Sequence, residues 1–146
     1  MDRSIVLALR VAPDANAPMM SLPVAHLVPG RGIEGDRYYL GVGSFPSGEL
    51  PAYEVSLIEE DMYRELERAA LSQGNGKALR RNIVVSGGPL ATLIEQPFQI
   101  GTVLLRGLVP RRLQHLSIEL LTTMRMPSGI GAQILTEGDI SLGDEI

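Results

Sequence analysis

The sequence predicts a mainly β protein, a closed or partly open β-barrel with about two helices inserted. Three observations carry this. Seven or eight short segments rich in Val, Ile and Leu are separated by turn residues, in a chain with 16 Gly and 10 Pro. Two segments repeat apolar residues at helical spacing. Strand-like and helical segments do not alternate regularly, which argues against a doubly wound parallel sheet.

The first strand is expected over 4–11, where β-branched and aliphatic residues run up to Pro13. After a loop over 14–18, a second strand is expected over 22–28, stopped by Pro29-Gly30. A long loop follows over 30–51, with six Gly and two Pro. Residues 53–57 predict a short strand that leads into a helix. Ser56 and Glu59 form an S-x-x-E capping box, and Ile58, Met62, Leu66 and Ala69 or Ala70 share one helical face. Gly74 and Gly76 close it.

A strand over 82–86 follows two arginines. One helical turn is expected over 89–94, then a turned strand pair over 97–106 with Gly101 at the break. The second helix is expected over 113–123, with Leu113, Leu116, Leu120 and Met124 on one side. Segments 130–135 and 140–142 flank TEGD, which predicts a terminal hairpin. No repeat or domain boundary interrupts 1–146, so the chain reads as one domain.

Composition narrows the function classes. Net charge is −4 with no long charged run, which gives no electrostatic footprint for nucleic acid or an anionic membrane. No apolar run reaches transmembrane length, and the N-terminus reads as a strand rather than a signal peptide. There is no Cys, so disulfides, thiolate metal sites and cysteine nucleophiles are excluded; a cytoplasmic location fits. All the basic residues but Lys77 are Arg, the residue suited to bidentate capture of phosphate or carboxylate.

Gly30, Gly32 and Gly35 have the G-x-G-x-x-G spacing of a dinucleotide fingerprint. That motif needs a helix directly after it. Asp36-Arg37-Tyr38-Tyr39-Leu40-Gly41 makes a poor first turn, and no β-α-β unit surrounds it. The glycines are read instead as allowing a sharp bend and close approach of backbone.

Three blocks in order resemble the MOSC domain, found in molybdenum cofactor sulfurases and as small stand-alone bacterial proteins. They are GRGIEGDRYYLG, RRNIVVSGGPLATLIEQPFQIGTVLLRG and ILTEGDISLGDEI. The resemblance spans about 28–146. It implies a mostly β barrel with a pocket for the molybdenum cofactor, an anionic pterin dithiolene with a phosphate. It also implies that an arginine just before the Asn-Ile-Val strand, here Arg80 or Arg81, helps hold that cofactor. The chain departs from the family after VLLRG. A cysteine that ligates molybdenum or carries sulfur is expected there, but residues 107–116 read GLVPRRLQHL. Arg111, Leu113 or Gln114 takes its place.

The expected cofactor-binding residues are Arg80, Arg81, Asn82, Asp36, Arg37, Ser86, Gly87, Arg111 and Arg112. Arg81 and Arg80 are neighbours on a strand, so one faces the site and the other solvent. Ser86-Gly87-Gly88 is either an amide nest for phosphate or a plain turn. Asn82 either touches ligand or closes a turn. Tyr38 and Tyr39 either stack on the pterin or pack at the barrel mouth. His115 is either a proton donor or metal ligand, or a structural residue at a helix start; His26 is assigned no role, and no catalytic or metal-ligating residue is committed. Pyridoxal phosphate would need Lys77, in a GNGKA loop poorly suited to desolvating an amine; it is expected in a separate partner. The expected function is binding or carriage of the molybdenum cofactor, with a desulfurase or a molybdoenzyme as protein partner. The alternative is a degenerate barrel acting as an interaction module.

Overall fold

The computed structural model describes residues 4–13, 18–36, 54–72, 81–110, 113–124, 126 and 129–146. Their order is β1 (Val6–Val11), β2 (Met20–Leu22), β3 (Val24–Val28), β4 (Gly32–Ile33), β5 (Val55–Glu59), α1 (Glu60–Ser72) and β6 (Ile83–Val85). A 3-10 turn (Leu90–Leu93) leads to β7 (Pro97–Ile100) and β8 (Val103–Leu108). Then come α2 (Ile118–Leu121), β9 (Ile130–Ile134) and β10 (Gly138–Ser141). The fold is mainly β, as expected. A seven-stranded sheet in the order β2-β1-β6-β5-β9-β8-β7 curls into a half-barrel, and a three-stranded sheet runs β10-β3-β4.

Alternation along the strands builds the core. In β8, Val103, Leu105 and Gly107 are buried while Leu104, Arg106 and Leu108 are more open. Leu9, Leu57, Ile83 and Leu105 from the large sheet join Leu27 and Ile140 from the small one in a single apolar cluster. Each such side chain, fully buried, contributes about 1.5–3 kcal/mol. The outer face has a second cluster, where Met62 and Tyr63 of α1 cover Ile58 and Val84.

Several expectations are corrected. The strand expected over 22–28 is divided at Pro23, which lacks the N–H a ladder needs; β2 pairs with β1 and β3 joins the other sheet. The long loop contains β4, which pairs back onto β3. Ser56 is not a helix cap. It lies inside β5, where its hydroxyl is taken by Asn82, and the helix starts at Glu60. The second helix is reduced to Ile118–Leu121, because the Ser117 hydroxyl accepts from the Leu120 amide at 3.3 Å and starts a helix there. Its buried residue is Leu121, while Leu120 is exposed.

There is no terminal hairpin. β9 pairs with β5 and β8, and β10 pairs with β3. The amides of Leu135 and Thr136 both donate to the Leu104 carbonyl, at 2.8 and 3.2 Å, so the chain leaves β9 for the other sheet. Gly74 and Gly76 lie outside the described residues.

Candidate functional site

The strand register sets several separated segments in one row across the large sheet. Ser56 and Leu108 both pair with Gly131, from opposite sides. Asn82 lies beside Ser56, and its carbonyl accepts from the Arg10 amide at 2.8 Å. Arg10, Asn82, Ser56, Gly131 and Leu108 therefore form one row across five strands. From Asn82 to Leu108 is three strand spacings, about 14 Å.

Asn82 is the hub of that row. Its side-chain oxygen accepts from the Ser56 amide at 3.1 Å and from the Ser56 hydroxyl at 3.2 Å. Its side-chain nitrogen donates to the Arg10 carbonyl at 3.0 Å. Its own amide donates to Ser56 Oγ at 3.0 Å. The Arg10 guanidinium lies 4.8 Å from the centre of the Tyr63 ring and also donates to the Tyr63 hydroxyl.

Two buried carboxylates tie the glycine-rich segment to the large sheet. Asp36 Oδ1 accepts from the Ala12 amide at 3.0 Å, just past β1. Glu54, 6% exposed, accepts from the Gly30 amide on one oxygen and from the Ile134 amide at 3.2 Å on the other. Burial pushes the Glu54 carboxyl up from the ordinary glutamate range, and the two amides act against that shift. Gly30, Gly32 and Gly35 all have positive φ, from 78° to 95°, the freedom the bend requires. The Gly30 amide thus holds a carboxylate of its own chain.

A cavity of about 470 Å³ opens beside the outward side of β8, within the ~300–1,000 Å³ range of small-molecule sites. Its polar residues are Glu95, Arg106 and Gln114, and Leu108, Leu116 and Leu121 form apolar wall. The cavity forms because the chain after β8 folds back. Leu113 donates to the Pro110 carbonyl at 2.8 Å and Leu116 to the Leu113 carbonyl at 3.0 Å, which brings α2 alongside. On the other side the 3-10 turn passes directly over β8. A Cβ on Gly107 would lie 2.2 Å from the Leu93 carbonyl oxygen, so only glycine admits this approach. Glu95 follows with φ 60°, its amide donating to the Gly107 carbonyl at 2.8 Å.

The predicted site residues divide in space. Asn82 shares a row with Leu108 of the cavity wall but is three strand spacings from it, Asp36 is held by Ala12 past the end of β1, and neither they nor Arg81 line the cavity. Ser86 and Gly87 are at the opposite end of β6, about 13 Å from Asn82 along the strand. There the Ser86 hydroxyl accepts from the Ile5 amide at 3.0 Å, and its amide donates to the Ile5 carbonyl at 2.9 Å. Arg37, Arg80, Arg111 and Arg112 lie outside the described residues, as do Tyr38, Tyr39 and Lys77. In the chain, Arg111 and Arg112 fall between Val109 and Gln114, which both line the cavity.

Sequence reading singled out neither Glu95, Arg106 nor Glu54. It also gave His26 no role. His26 Nδ1 lies 2.6 Å from Asp139 Oδ1, and Nε2 lies 3.0 Å from Glu137 Oε2, across the β3–β10 pair. These contacts raise the His26 pKa, that with Asp139 contributing most. The local signal for it was the TEGD turn, which carries both acids.

No family model matches the sequence, and no curated protein matches it. Solved structures do resemble the fold. The YuaD protein from Bacillus subtilis is 16% identical, covering 97% of this chain and 93% of that one, with a TM-score of 0.65. YiiM from Geobacillus stearothermophilus is 12% identical over 98% of this chain and 75% of that one, at 0.59. YiiM from Escherichia coli is 13% identical over 97% and 67%, at 0.56. The chain shares the overall fold of these three structures. At this identity the likeness concerns the fold alone. Among the described residues no helix is long and apolar enough to cross a membrane.

Proposed function

We propose that this chain is a MOSC-type binding domain that holds or carries the molybdenum cofactor, or an anionic molecule of its kind, in the cleft beside β8. The observation that carries this reading is Arg106. Arg106 is an exposed residue that lines a cavity of ligand size and, among the described residues, forms no ion pair. A guanidinium fork is matched to phosphate or carboxylate. Much of the remaining wall, Leu108, Val109, Gln114, Leu116 and Leu121, comes from the stretch after VLLRG, where the resemblance departs most from its family.

The donor set fits the organic, anionic part of such a cofactor and not its metal. Arg106 and Gln114 would donate to anionic or carbonyl oxygens, and the leucines would pack against ring faces. The chain has no Cys, and among the described residues no group of three His, Cys, Asp or Glu could hold a metal ion. Sulfur transfer through a thiol of this chain is chemically excluded. The cleft residues bind and orient the ligand; when bound, the cofactor itself would supply any redox chemistry.

The interaction-module reading has one observation in its favour. Ile118 and Leu120 of α2 are exposed next to the cleft, at 37% and 48%. One experiment separates the two. Expressed in a host that makes the molybdenum cofactor, the chain is expected to co-purify with pterin, assayed as its fluorescent oxidation product. Arg106→Ala is expected to lose most of it, and Arg80→Ala with Arg81→Ala reports whether those arginines share the site. A well-folded wild-type protein without pterin overturns the binding proposal.

A further inference from the structure

An acidic residue that an anion site does not need, the exposed Glu95, is among those lining the cleft. Glu95 and Arg106 line the same cavity, yet they form no ion pair with each other. Glu95 also sits at φ 60°, where a side-chain-bearing residue is strained and glycine is not. The chain therefore keeps a carboxylate where glycine would fit the backbone better.

We infer that Glu95 reads a paired N–H edge on the ligand, so that the cleft takes a flat amino-pyrimidinone heterocycle bearing an anionic substituent. This rests on the binding reading above. A carboxylate is acceptor-only and offers two oxygens. Its matching partner is a cyclic amidine-type edge, one ring N–H beside one exocyclic amine, as pterins and guanine present. Arg106 is donor-only and takes the anionic substituent. Leu108, Leu116 and Leu121 supply apolar wall for the ring faces. A ligand with the anion alone would leave Glu95 facing a like charge. One with the N–H edge alone would leave Arg106 unmatched.

The test compares a pterin carboxylate with the corresponding lumazine carboxylate, in which oxygen replaces the exocyclic amine. Both fluoresce and are titrated directly. Wild type is expected to bind the pterin at least about tenfold more tightly, because a site built to bond an N–H rejects the analogue that lacks it. Glu95→Gln and Glu95→Gly are expected to abolish this preference, bringing the two affinities to within about twofold of each other. Glu95→Gly is also expected to raise the unfolding midpoint, which shows that it folds. Arg106→Ala is expected to weaken both ligands together.

Equal affinity for the two ligands in wild type, with both weakened by Arg106→Ala, overturns the role of Glu95 and leaves the anion site standing. Saturable binding of neither overturns both. Guanosine and inosine monophosphates repeat the comparison on a purine, and the tighter-binding pair identifies which heterocycle supplies the edge.

Discussion

Asn82 and Ser56 clasp each other across the parallel β5–β6 pair. Both the amide and the hydroxyl of Ser56 donate to Asn82 Oδ1, and the Asn82 amide donates back to Ser56 Oγ at 3.0 Å. The Asn82 side chain then reaches the Arg10 carbonyl, so one residue joins three strands just where β6 begins. Leu108 of the cleft wall lies in the same row, three strand spacings from Asn82. Asn82→Ala leaves the Ser56 amide and the Arg10 carbonyl without this partner. It is expected to cost about 2–4 kcal/mol in urea unfolding. A loss below about 0.5 kcal/mol, the range of an ordinary surface substitution, would contradict this role.

Glu54 gives a pH dependence of definite sign. Its folded-state pKa is raised, so the fold binds a proton more tightly than the unfolded chain does. The Glu54 contribution to stability is therefore most favourable at low pH. It declines as pH rises from the ordinary value of 4.5 through the raised one. Unfolding midpoints measured across this window should show the decline in wild type and not in Glu54→Gln. Parallel profiles for the two proteins would refute it.

His26 titrates with the opposite partner logic. Asp139 first, then Glu137, raises its pKa, so the contribution of these contacts is full below the unfolded histidine value. It is lost as pH rises through the folded one. Proton NMR of the imidazole should report a pKa above 6.5, the ordinary value. Asp139→Asn should lower it more than Glu137→Gln; the reverse order would sink the assignment.

Gly107 and Gly35 separate two reasons for glycine. At Gly107 a side chain would meet the Leu93 carbonyl, whereas at Gly35 nothing lies within 4 Å and the constraint is φ of 91° alone. Gly107→Ala is expected to cost about 2–3 kcal/mol through overpacking. Gly35→Ala is expected to cost about 1–2 kcal/mol through the left-handed backbone. Gly107→Ala should also disturb the cleft and Gly35→Ala should not. Ligand titration of both variants checks this.

The sequence was most legible where a local pattern determined structure. The turned strand pair that breaks at Gly101, with φ of 58°, followed from adjacent residues. The outer stripe of α1, Met62 and Leu66, followed from helical spacing. Legibility failed where a distant partner decided the outcome. Ser56 resembles a helix cap until Asn82, 26 residues on, takes its hydroxyl. The segment after β9 resembles a hairpin until Leu104 draws it away. Arg106 resembles any outward strand residue, and only the fold-back of the segment leading to α2 makes it part of a cavity wall. Asn82 shares a row with Leu108 of the cleft wall only through register, which the sequence does not print.

The central claim is that the cleft beside β8 binds the ligand. Isotope-labelled protein titrated with a pterin carboxylate tests it most directly, by amide chemical-shift mapping. The expected perturbations fall on Glu95, Arg106 to Val109 and Gln114 to Leu121, saturate together, and vanish in Arg106→Ala. Saturating shifts confined to another surface, or none in a folded sample, would contradict it.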